Sequence, residues 1–177
     1  MIWVGSFQSL QSVLRRLPFT DAPLEVHTWV RSEIRLISPL VEWLMSLIAE
    51  SRCNCGEEES VELALREALS NAMLHGNRLD ARKLVHVGCC CESGKGVFIV
   101  VRDHGHGFDP NKVPNPLASE NLGAEHGRGI FLMKWAMDDV SFQRSGREVH
   151  MRKASGAAHR DRTTAHCGWR AERILGL

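Results

Sequence analysis

From Glu33 to His75 apolar residues return at every third or fourth position, whereas from Lys83 to Asp103 they alternate or run unbroken. The first period belongs to helices packed along one stripe, the second to strands, so one stretch of chain commits to two helices followed by two strands. Leu36, Leu40, Trp43, Leu44 and Leu47 mark a helix over residues 33–50. After the polar break "SRCNCGEEES", a second helix is expected over 57–75, acidic in its first turn as the helix dipole favours. Gly76 and Asn77 follow as stop residues. "LEVHTWV" (24–30) alternates ahead of the first helix and reads as a half-buried strand. "KLVHVGCCC" and "GVFIVVRD" read as strands joined by the turn "ESGKG". "GIFLMKWAMDDV" (129–140) predicts a third helix, and "VSFQRSGREVHMRK" a closing hairpin around Ser145-Gly146. Clustered strands with paired helices call for an α+β fold: a two-layer α/β sandwich, its sheet mixed but mostly antiparallel, with helices on one face.

A chain of 177 residues suits one domain with room for a substantial core. The expected division is an N-terminal extension (1–22), a domain (23–153) and a poorly ordered tail (154–177). Net charge is +1, so no whole-molecule field favours nucleic acid or an anionic membrane. The N-terminus lacks a signal-peptide pattern, and "LVEWLMSLIAE" is too short and too interrupted by Glu42 to span a bilayer. A cytoplasmic protein is the expectation. Six cysteines occur as Cys53-x-Cys55, the run Cys89-Cys90-Cys91, and Cys167. Neighbours on a strand face opposite ways, so the run cannot converge on one metal without distortion. The cysteines are read as partly buried thiols without a function.

Three local patterns carry chemistry. In "EALSNAMLHGN", Glu67, Asn71 and His75 stand four apart, which on a helix aligns a carboxylate, an amide and an imidazole. Either all three lie on the solvated flank of an amphipathic helix, or Asn71 offers an oxygen to Mg²⁺, Glu67 a base toward a hydroxyl or water beside the phosphates, and His75 a contact to the phosphates or lid. In "VVRDHGHGFDP", Asp103 ends an apolar strand before Gly105 and Gly107. Asp103 can either cap a tight turn or accept from an exocyclic amine, with glycines admitting a flat ring. In "HGRGIFLMK", Gly127 and Gly129 precede a helix whose free amides suit an anion, or else form a hinge into a core helix. Between the last two patterns lies a loop, residues 104–128, with Pro110, Pro114 and Pro116 and little apolar periodicity. A loop of that length inside a domain is functional or disordered.

The order of these pieces resembles the Bergerat-type, histidine-kinase-like ATPase fold of the GHKL superfamily. "EALSNAMLHGN" matches its N box, "DHGHGFDP" its first glycine box and "GRGIFLM" its second. Within that superfamily, "EALSNAMLHG", "RDHGHGFDP" and "GRGIFLMKWAMDDVSF" are most similar to the anti-sigma-factor serine/threonine kinases of bacterial partner-switching systems. The likeness runs from about residue 24 to 153 and implies ATP and Mg²⁺ as ligands. By resemblance, Asn71 coordinates Mg²⁺, Asp103 binds the adenine amine, and Gly105 and Gly107 shape the adenine pocket. Residues 110–126 form the ATP lid. Gly127, Arg128, Gly129 and Ile130 meet the phosphates with backbone amides, His75 lies near them, and Glu67 is the general base. The implied partners are a sigma factor and a STAS-domain anti-anti-sigma protein, with the chain as a homodimer.

Two other functions compete with that kinase. One is a non-catalytic, ATP-gated binding module. The other is a histidine-kinase ATPase domain, disfavoured because the segment before Leu24 is short for a helical hairpin with a phosphoacceptor histidine. A gyrase-like ATPase is disfavoured because no transducer domain follows.

Overall fold

The computed structural model describes residues 2–4, 24–51, 56–110, 113 and 128–155. Six strands form one sheet: β1 (Ile2–Val4), β2 (Leu24–Arg31), β3 (Leu84–Glu92), β4 (Gly96–Arg102), β5 (Asp139–Gln143) and β6 (Glu148–Lys153), in the order β1-β2-β3-β4-β6-β5. Only the β1–β2 pair is parallel; the others are antiparallel. Ile2–Val4, which falls in the expected N-terminal extension, thus pairs with β2 at the sheet edge. The helices are α1 (Ile37–Glu50), entered through a 3-10 turn at Ile34–Leu36, α2 (Glu58–Ser70) and α3 (Arg128–Ala136).

Strand register sorts the side chains onto two faces. Val26, Val87, Ile99, Val101, Val149 and Met151 lie on the face that joins Leu40, Leu44, Leu65, Leu69 and Met133 of the helices in one buried cluster. Burying a side chain of this size contributes roughly 1.5–3 kcal/mol each, so the helix-facing side supplies most of the driving force. α2 is the central helix and contacts both α1 and α3. The α+β fold, a mostly antiparallel sheet with helices on one face, is the one expected.

Three local expectations are corrected. The third helix ends at Ala136 rather than near Val140. There Asp138 N–H donates to the Arg152 carbonyl at 3.0 Å and its carboxylate accepts from Ala154 N–H at 2.7 Å, so β6 captures the chain as β5. The second helix does not stay α-helical to His75: residues Asn71–Gly76 form a π-helical turn. Asn77 N–H reaches back five residues to the Ala72 carbonyl at 2.8 Å. π turns are rare and recur at functional sites. The cysteines are not all thiols either. Cys89 and Cys90 are buried thiols, while Cys91 is disulfide-bonded. Cys91 is the penultimate residue of β3, beside the end of α1, where Ser51 Oγ lies 3.0 Å from its sulfur. As the alternation demands, Cys89 and Cys91 point to the core and Cys90 away from it, and burial pushes the Cys89 thiol up to about 12.

The sheet's other face is polar yet buried in places. His27 and His86 stack at 5.4 Å with Nδ1 of one 3.2 Å from Nε2 of the other, and Trp29 tilts against His86. Across β4, Glu148 is 1% exposed and bonds His150 Nε2 at 2.7 Å, with Arg144 Nε at 3.1 Å.

Candidate functional site

The end of β4, the π turn that follows α2, the β5–β6 turn and the start of α3 surround a cavity of about 400 Å³. That volume lies in the range of small-ligand sites. Asn71, His75, Asp103, Gly107, Gly129 and Ile130 line it, so six of the residues singled out in the sequence converge on one hollow. Glu67, Gly105 and Arg128 are not among its lining residues, and Gly127 lies outside the described residues. Of the expected lid only Pro110 and Val113 are described, and Val113 lines the cavity.

Asp103 is placed by backbone on both sides. Its N–H donates to the Arg147 carbonyl at 2.9 Å, continuing the β4–β6 ladder by one bond, and Gly105 N–H donates to its Oδ1 at 2.7 Å. No described residue bonds Oδ2, which leaves an acceptor to spare. Burial pushes the Asp103 carboxyl above its ordinary range, while the Gly105 amide and the charge of Arg147 pull it back. A partly desolvated carboxylate with one oxygen that no described residue bonds is suited to a fixed donor such as an amine.

Glycines set the clearances. A Cβ on Gly76 would overlap the Asp103 carboxylate, 2.6 Å from Oδ2 and 2.7 Å from Oδ1. A Cβ on Gly105 would run into the Gly76 carbonyl, so the helix end and the Asp103 turn touch backbone to backbone. Gly107 has φ +78, a conformation other residues resist, and it packs on the Ser145 carbonyl of the β5–β6 turn. Phe108 N–H closes the same contact by donating to that carbonyl at 2.8 Å.

At the far end, a Cβ on Gly129 would stand 2.8 Å from Glu67 Oε2 and 3.1 Å from Asn71 Nδ2. Glu67 therefore sits against the backbone that opens α3, one turn of α2 before Asn71, although it does not line the cavity. Among the described residues no group of three or more His, Cys, Asp or Glu side chains could hold a metal by itself. Asn71 fits Mg²⁺ in the way that ion is usually held, by one or two protein oxygens with phosphates and water completing the shell.

A search against protein families matches residues 30–153 to the histidine kinase-like ATPase domain. The chain belongs to that family. The match contains every described site residue. Two proteins named anti-sigma F factor are also similar. That of Anoxybacillus flavithermus (strain DSM 21510 / WK1) is 28% identical over 98 residues, covering 54% of this chain and 66% of the relative. That of Geobacillus stearothermophilus is 28% identical over 114 residues, covering 62% and 77%. The chain thus spans just under two thirds of the first relative's length.

Several lining residues of this histidine kinase-like ATPase domain escaped the sequence reading. Gly76 reads as a helix stop but borders Asp103. Phe108, Met133 and Phe142 provide apolar lining, with Phe108 and Phe142 meeting edge to face at 5.5 Å. Arg147 brings a cation to the rim beside Asp103. The "SGR" turn was a signal for a hairpin, and only its packing on Gly107 makes it part of the site.

Proposed function

We propose that this domain binds Mg-ATP in the cavity and acts as a serine/threonine protein kinase and anti-sigma factor. In this reading it phosphorylates a serine of a STAS-domain anti-anti-sigma partner and sequesters a sigma factor in the cytoplasm, as a homodimer. The observation that carries it is that Asp103, a half-buried carboxylate whose Oδ2 no described residue bonds, lines the same cavity as Asn71 and Gly129. The names of the two similar proteins support the anti-sigma assignment. Trp135, 70% exposed on α3, offers the kind of aromatic anchor on which protein interfaces depend. No described helix is long and apolar enough to cross a membrane.

In this reading each residue takes a role that suits its position. Asp103 Oδ2 accepts the adenine amine, and Phe108 and Met133 shield the ring. Gly129 and Ile130 turn the first amides of α3 toward the phosphates, where a helix N-terminus favours anions. Asn71 donates an oxygen to Mg²⁺, which neutralises charge on the phosphates when bound. Glu67, one turn away and against Gly129, takes the proton of the accepting hydroxyl. Phosphoryl transfer rests mainly on positioning and electrostatics, so this small set of groups suffices.

One observation favours a second reading, a non-catalytic ATP-gated binding module: Glu67 stands outside the cavity lining. The two are separated by incubating wild type and Glu67→Ala with γ-labelled ATP and STAS-domain proteins from the same genome. The kinase reading expects label on a partner with wild type and its loss in the variant, with nucleotide binding intact. Nucleotide binding without any transfer by wild type refutes the kinase and leaves the module.

A further inference from the structure

Asn77 follows a helix end and precedes a surface loop, yet it is 1% exposed. Its side-chain oxygen accepts from His104 N–H at 2.9 Å, and its amide donates to the Leu84 carbonyl at 3.1 Å. The orientation of the amide is forced, because a backbone N–H can only donate and a carbonyl can only accept. Its own N–H closes the π turn on Ala72, and its carbonyl accepts from Asp80 N–H at 3.2 Å. One residue therefore ties together the end of α2, the 78–83 loop, the first residue of β3 and the peptide that follows Asp103.

That last tie is the consequential one. The peptide between Asp103 and His104 is the hinge about which the Asp103 carboxylate is aimed. Asn77 holds its N–H, and the His104 ring adds a second anchor, Nδ1 lying 2.9 Å from the same Leu84 carbonyl. The Gly105 amide then fixes Oδ1, which leaves Oδ2 as the acceptor with a set direction. A residue needed only to stop a helix has no reason to reach across to this strand end. The π turn supplies the reason: its extra residue per turn places Asn77 beside His104 and brings Gly76 onto Asp103.

We propose that Asn77 is a positioning residue for base recognition, holding the Asp103–His104 peptide so that Asp103 selects a purine carrying a 6-amino group. The proposal rests on the assignment of Asp103 to the adenine amine, and the test keeps the two apart.

Calorimetry compares Mg-ATP with Mg-purine riboside triphosphate, which lacks only the 6-amino group, on wild type, Asp103→Asn, Asn77→Ala and Asn77→Asp. A hydrogen bond to a charged acceptor gives wild type a preference for ATP of roughly 10- to 100-fold. Asp103→Asn abolishes that preference. Asn77→Ala loses most of it while binding the deaminated nucleotide about as well as wild type does. Asn77→Asp keeps an acceptor for His104 but sets an oxygen against the Leu84 carbonyl, so its preference falls between the two, and it carries the test if circular dichroism shows Asn77→Ala unfolded. Folded Asn77 variants that keep the wild-type preference, or that lose both nucleotides equally, overturn the proposal. A wild type that binds both nucleotides alike overturns the Asp103 assignment itself, and the role of Asn77 with it.

Discussion

Gly129→Ala adds one methyl group at the point where α3 meets α2. Its Cβ would lie 2.8 Å from Glu67 Oε2 and 3.1 and 3.3 Å from the Asn71 amide atoms, closer than ordinary van der Waals contact by several tenths of an ångström. Both neighbours are ends of side chains, so they can yield without moving backbone. Gly129 is also at the start of a helix and has no positive φ, so alanine gains up to about 1 kcal/mol of helix propensity. The net effect on stability is therefore small, within about 1 kcal/mol either way. The effect on chemistry is not small, because the atoms displaced are the proposed base and the metal-binding amide. Misplacing reacting groups by about 1 Å costs on the order of a hundredfold in rate. A thermal melt and a γ-phosphate transfer assay on the same preparation decide the matter. The expected pair of results is a melting temperature near wild type with phosphotransfer reduced roughly 10- to 100-fold. Wild-type transfer rates in a folded Gly129→Ala protein refute the claim that Glu67, Asn71 and the α3 entrance act as one unit.

Other perturbations separate binding from folding. Gly76→Ala, whose Cβ would overlap the Asp103 carboxylate, should cost roughly 10-fold or more in ATP affinity by calorimetry while the protein stays folded; unchanged affinity would contradict the contact. Burial raises the Asp103 carboxyl, so the folded state holds its proton more tightly than the unfolded chain and loses stability as pH rises through that range. Asp103→Asn should accordingly leave ligand-free thermal stability at neutral pH unchanged or higher while weakening ATP binding, and a large drop in melting temperature would count against this. His86 is held down to about 4 from its ordinary 6.5, first by burial and then by the charges of His27 and Arg102. Its contribution is intact above pH 6.5 and is lost as pH falls toward 4, by at most about 3 kcal/mol. Denaturant melts at several pH values should show this slope in wild type and a flatter one in His86→Phe; equal slopes would rule out His86 as the source.

How much of this was legible in advance depended on whether the signal was local. The unbroken apolar run in "GVFIVVRD" reports a strand and the stripe in "VELALREAL" a helix face, and the structure buries both in one core. Asn71, Asp103 and Gly129 stood out because each combines a chemical group with a recognisable position on an element, and all three line the cavity. Glu67 stood out in the same way and lies against Gly129 rather than in the lining. Gly76 and Asn77 did not stand out. A glycine and an asparagine after a helix are ordinary stop signals, and what distinguishes them is contact with residues 27 positions later. The π turn was equally hidden, since its five-residue bond costs no change in residue type. The sequence predicts α3 too long because "AMDDV" continues the helical apolar pattern, which the pairing of Asp138 and β5 with β6 overrides.

Every role proposed for the cavity turns on where a nucleotide sits. A crystal structure of the protein with Mg²⁺ and a non-hydrolysable ATP analogue tests that directly. The expected result is the 6-amino group within hydrogen-bonding distance of Asp103 Oδ2, the metal on the Asn71 side-chain oxygen, and the phosphates at the Gly129 end of α3. A nucleotide bound elsewhere, or one whose amine points away from Asp103, would contradict it.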